Sequence, residues 1–137
     1  MKRWLLRLAV AAAIIFAAIQ FIPAERTNPP VTVEVEWDSP HTRELFFRAC
    51  ADCHSNETAW PWYSRIAPVS WAVIKHVRDG REELNISASD EVDTDDIADE
   101  IRKGNMPPAY YTLSHPGARL TDQEKKELIS GIRSTFD

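Results

Sequence analysis

From Leu8 to Ile22 the chain reads LAVAAAIIFAAIQFI, a run without a charge and apolar on every face. Counted from Trp4, a helix through Ile22 would rise roughly 28 Å, close to the hydrocarbon thickness of a bilayer. Lys2, Arg3 and Arg7 lie before or at the start of this run, which keeps the N-terminus on the cytoplasmic side. The pattern therefore predicts a membrane anchor over residues 1–23. In a bacterial cell it would be a single-pass inner-membrane helix with the C-terminal domain in the periplasm. A cleaved signal peptide shares the basic start, but the only small-x-small site in a plausible place, Ile22-Pro23-Ala24, is bulky and proline-blocked, which favours a retained anchor.

Beyond the run the pattern changes twice. Residues 24–38, AERTNPPVTVEVEWD, combine prolines with a short alternating stretch and read as an extended tether. From residue 39 to 137 the apolar positions recur at helical spacing. A first helix is expected from about Pro40 to Cys50, with Ser39 as N-cap, Pro40 in the first helical position, and Leu45, Phe46 and Ala49 on one face. A second runs from about Pro68 to Asp79, with Val69, Val73, His76 and Val77 on one side and Gly80 as its stop. A third starts near Thr94 or Asp95, pairs Ile97 with Ile101 and ends at Gly104. The fourth opens with the capping box Thr121-x-x-Glu124 and aligns Leu128, Ile132 and Phe136. No segment alternates like a core strand, so the expected fold class is all-α, one domain behind a transmembrane helix.

Composition narrows the function. The formal net charge is −5, and it becomes −8 once Lys2, Arg3 and Arg7 are set aside with the anchor, which argues against nucleic-acid binding and suits partners with basic docking patches. The same charge is equally what an ordinary soluble surface carries. The acid-rich SASDEVDTDDIADE lacks the alternation and central glycine of a calcium loop, and acids that open a helix suit its dipole. Short helices with few long apolar faces make a thin core, which a metal, disulfide or cofactor would have to fill.

Both cysteines of the chain lie in Cys50-Ala-Asp-Cys53-His54. As a redox disulfide the pair would be expected beside a βαβ pattern, which is absent. As zinc ligands they would need a second pair, and there is no other cysteine. C-x-x-C-H fits covalent haem attachment: each thiol adds to a vinyl group, the two reach vinyls on adjacent rings from one turn of chain, and His54 supplies the proximal imidazole. Disulfide formation or opportunistic metal binding remain the alternatives.

The segments CADCHSNETAWPWYSRIAPVSWAVIKHVRDGREELNIS and IRKGNMPPAYYTLSHPGARLTDQEKKELISGI resemble the bacterial haem-binding domain family, small c-type cytochrome domains often anchored by an N-terminal helix. The resemblance runs from about Trp37 to the C-terminus. It implies a cytochrome-c-like helical fold around one haem c and no particular pathway. Gly104-Asn-Met106-Pro-Pro108 is similar to the methionine loop of many c-type cytochromes, which makes Met106 the expected sixth iron ligand; a core methionine in a proline-rich loop is the plain alternative. His76 and His115 are the rivals. Pro68 is expected to offer its carbonyl to the N–H of His54, as a proline does in many cytochromes c. Trp60 and Trp62, within an aromatic concentration that includes Tyr63 and Trp71, are expected to contact the porphyrin and its propionates; a small core built from large residues reads the same way.

The function expected from these residues is single-electron transfer by a membrane-anchored haem c with His54 and Met106 on the iron, exchanging electrons with redox proteins or quinol-linked complexes. Two other classes compete. A labile Met106 would make a peroxidase or a sensor of NO, CO or peroxide, and a haem with neither role would make a structural domain of a larger assembly.

Overall fold

The computed structural model describes residues 2–137. Among them the regular elements are all helical: α1 (Lys2–Ile19), α2 (Pro40–Ala49), α3 (Ala51–His54), a 3-10 turn (Trp62–Arg65), α4 (Val69–Glu83), α5 (Thr94–Lys103), α6 (Ala109–Ser114), a second 3-10 turn (Pro116–Ala118) and α7 (Asp122–Phe136). The chain divides into two compact units. The first takes the chain up to Thr27 with Trp60–His76, and the second takes Asn28–Ala59 with Val77–Asp137.

The first unit corrects the membrane reading. Among the described residues no helix is long and apolar enough to cross a membrane, so a transmembrane helix over 1–23 and a single-pass inner-membrane placement with a periplasmic domain are not supported. The physical reason lies at both ends of α1. Lys2, Arg3 and Arg7 fall inside the helix rather than before it, and the helix ends at Ile19, short of the apolar run's own end. The charge-free helical part, Leu8 to Ile19, rises only about 18 Å, against about 30 Å of hydrocarbon. Past Ala17 the backbone tightens to i→i−3 bonds, Gln20 to Ala17 at 3.2 Å and Ile22 to Ile19 at 3.2 Å, and Pro23 follows. The Gln20 side-chain amide pairs with the backbone of Ala67, donating to its carbonyl at 3.1 Å and accepting its N–H at 3.0 Å. Arg26 donates to the Ser64 carbonyl at 2.8 Å.

The second unit is built on α2, α5 and α7. Ser39 caps α2 by accepting the Thr42 N–H at 3.1 Å, and Pro40 opens the helix where a missing N–H is harmless. Leu45, Phe46 and Ala49 turn inward from it and meet Ile101 of α5 with Leu128 and Ile132 of α7 in one cluster. Truncating a residue as buried as Leu128, at 0% exposure, typically costs about 2–5 kcal/mol. Gly131 lets α7 cross α2 closely: a Cβ there would stand 2.0 Å from Thr42 Oγ1. Trp37 closes the cluster's edge, its ring 5.2 Å from that of Phe46 and 6.1 Å from that of Phe136.

Residues 28–37 are extended and lie along the second unit. Thr32 and Val33 both donate to the Ser87 carbonyl, at 2.8 and 3.1 Å, and the Asn56 amide donates to the Pro30 carbonyl at 2.9 Å.

Helix α4 differs from expectation. It passes through Gly80 to Glu83, and the Leu84 N–H bonds the Gly80 carbonyl at 2.9 Å. Gly80 is therefore not a stop. A Cβ on it would lie 2.7 Å from the Cys53 carbonyl oxygen and 3.0 Å from the Cys53 Cβ, so the glycine is there for close approach. His76, expected on the apolar face, is exposed, while Val77 next to it is buried. Helix α5 is capped by Asp93, which accepts the Asp96 N–H at 2.9 Å. It ends at Gly104, whose φ of 76° is a left-handed cap that a glycine adopts without steric penalty.

Candidate functional site

Helix α2 ends at Cys50, where the backbone leaves helical geometry, and the single turn α3 follows at once. The His54 N–H returns to the Cys50 carbonyl at 3.0 Å, which closes the turn and keeps Cys50, Cys53 and His54 on it. Both cysteines are free thiols and half-buried. Burial, then the neighbouring Cys53, pushes the Cys50 thiol up to about 12. Burial, then Asp52, pushes the Cys53 thiol up to about 11, with Arg81 pulling the other way. Both are protonated at neutral pH.

The His54 imidazole is oriented from one side. Its Nδ1 lies 2.9 Å from the Gly80 carbonyl and 3.2 Å from that of Leu84. Carbonyls only accept, so Nδ1 carries the proton and Nε2 is left with a bare lone pair. Burial pulls the His54 pKa below the ordinary imidazole value, against the upward pull of the Leu84 and Gly80 carbonyls, and the ring is neutral. A neutral imidazole held through Nδ1–H to a carbonyl is the form that ligates a metal, and the bond raises its basicity. These partners are not the expected Pro68, whose carbonyl accepts the Trp71 N–H at 3.1 Å.

His54, Cys50 and Met106 line one cavity of about 300 Å3. Phe46, Leu84, Ile97 and Ile101 supply its apolar wall, and Glu83, Asp96 and Glu100 lie along it. Met106 is held there by the end of α5, where the N–H groups of Asn105 and Met106 both reach the Glu100 carbonyl, at 3.0 and 3.2 Å. Around the α3 turn, Thr58 donates to the Asp52 carbonyl at 2.7 Å. Arg81 of α4 donates to the Ser55 carbonyl at 2.8 Å and to Thr58 Oγ1 at 2.9 Å.

The cavity thus brings together Cys50, His54 and Met106. Trp60, Trp62 and Pro68 belong to the other unit and are not among its lining residues. Trp62 is 74% exposed, its ring edge-on to Tyr63 at 5.8 Å. His76 is on that unit too. His115 is stacked on the Tyr111 ring at 4.2 Å with an interplanar angle of 23°. The sequence reading missed the carbonyls of Gly80 and Leu84, Arg81, and the three acids of the cavity. None of them left a signal of its own, since Gly80 reads as a helix stop.

Among the described residues no three His, Cys, Asp or Glu side chains converge to hold a bare metal ion. Cys50, His54 and Met106 line one cavity, and Cys53 lies on the same turn as Cys50 and His54, a set of sulfur and imidazole donors of the kind that holds a haem. The residues present fit that group. The chain matches the haem-binding domain family over residues 14–134 and belongs to it. No curated protein and no solved structure matches the chain.

Proposed function

We propose that this haem-binding domain is a c-type cytochrome domain that carries single electrons. The observation that supports this reading most is the one cavity lined by Cys50, His54 and Met106. Bound there, haem supplies one-electron exchange between ferrous and ferric iron. Cys50 and Cys53 would hold its periphery through two thioethers, each formed by S–H addition across a vinyl C=C with no oxidant required. His54 would ligate through Nε2, its ring fixed by the Gly80 and Leu84 carbonyls. Met106 would be a second iron ligand, and a thioether ligand would favour the ferrous state relative to a second imidazole. If His54 and Met106 both ligate the iron, the chain itself would supply the ligands, which suits a carrier rather than a catalyst. The chain's net charge of −5 suits redox partner proteins with basic docking surfaces.

A redox titration of the matured protein with optical detection tests this. The expected result is one reversible single-electron step, low-spin spectra in both states and slow CO binding by the ferrous form. A high-spin ferric spectrum with rapid CO binding would replace the carrier reading by that of a ligand sensor or peroxidase.

A further inference from the structure

Asp52 sits between the two cysteines yet has neither of their roles nor that of His54. Its carboxylate is fully engaged: Oδ1 accepts the Ala59 N–H at 2.8 Å, and Oδ2 accepts the Tyr111 hydroxyl at 2.7 Å. Tyr111 stands in the first turn of α6, its N–H bonded to the Pro108 carbonyl at 3.0 Å. That helix begins directly after Met106-Pro107-Pro108. It has no buried residue, so apolar packing contributes little to holding it in place, and a charge-assisted hydrogen bond can decide its position.

The other end of the loop is fixed by the glycine cap of α5 and the shared Glu100 carbonyl. Between Met106 and α6 lie only two prolines, each with a ring-locked φ, so fixing Tyr111 leaves Met106 little freedom. The imidazole of His115, stacked on the Tyr111 ring at 4.2 Å, further restricts the phenol.

We infer that the Tyr111–Asp52 hydrogen bond is a clasp that holds Met106 in the cavity by tying the methionine loop to the cysteine–histidine turn. Tyr111 is then a positioning residue for the sixth ligand. The inference rests on the haem reading above and adds to it the residue that keeps the sixth position closed.

The test uses the matured, haem-loaded full chain and reads two signals of the iron–sulfur bond, the far-red sulfur-to-iron band of the ferric form and the rate of CO binding to the ferrous form. Tyr111→Phe should weaken the band and speed CO binding about 10–100-fold, the factor that corresponds to a lost hydrogen bond to a charged group. Asp52→Asn should act in the same direction, and the double variant should add little to Tyr111→Phe, because the two changes remove one interaction. Leu113→Ala, on the exposed side of α6, should leave both signals as in wild type. Wild-type band and CO rate in Tyr111→Phe would overturn the clasp while leaving Met106 as ligand. A wild-type protein without the band, indifferent to Met106→Ala, would overturn Met106 ligation and the clasp with it.

Discussion

Gly80 lies against Cys53 so closely that a methyl group on it would stand 2.7 Å from the Cys53 carbonyl oxygen, while its own carbonyl takes the His54 Nδ1 proton at 2.9 Å. One backbone position therefore sets both the distance of α4 from the cysteine turn and the orientation of the imidazole.

Gly80→Ala tests that coupling. In an open helix the change would stabilise by about 1 kcal/mol, but here the contact is to backbone and overpacking of this kind costs about 1–3 kcal/mol. The expected outcome is a lower melting temperature and a changed reduction potential of the matured protein. Gly117→Ala, where an added Cβ meets nothing within 4 Å, should change neither. An unchanged Gly80→Ala protein would show that the turn tolerates displacement.

The thiols give a pH prediction for the chain before haem is attached. With folded values near 12 for Cys50 and 11 for Cys53, against about 8.5 unfolded, the folded state binds more protons between these limits. Stability from this source is complete below about pH 8.5 and is lost as pH rises toward 11 and 12. Iodoacetamide labelling at pH 8 should be much slower in the native chain than in urea, and should rise steeply above pH 10. Equal rates at pH 8 would contradict the burial of the pair.

Glu124 gives the opposite sign. The Thr121 backbone N–H and Arg48 hold its carboxyl down to about 2, so its contribution is present above the usual carboxylate range and is lost as pH falls toward 2. Glu124→Gln should flatten the acid limb of melting temperature against pH between about 5 and 2. A variant whose acid limb matches wild type would place the acid sensitivity in other carboxylates.

What the sequence disclosed was local. Ser39 with Pro40, Gly104 at the end of α5, and Thr121 with Glu124 each act within about one turn, and the helices they bound follow the pattern of apolar positions. The cysteines and His54 were legible because the chemistry fixes their spacing. Gly80 was not, since a glycine that stops a helix and one that admits a neighbour look alike until Cys53 is seen against it. The partners of His54 are main-chain carbonyls, which every residue has. Helix α6 is short and has no fully buried residue, so it left no periodicity. The membrane reading failed because an uncharged run does not fix where a helix ends: α1 takes in Lys2, Arg3 and Arg7 and stops at Ile19.

The central claim is a haem joined covalently to the turn that bears Cys50, Cys53 and His54. Acid–acetone extraction of the matured protein, followed by the absorption spectrum of the protein pellet in alkaline pyridine, tests it most directly. The account predicts one haem per chain retained with the wild-type pellet, and none retained with the Cys50→Ala/Cys53→Ala double variant. Haem that extracts completely from the wild type, or that stays with the double variant, would contradict it.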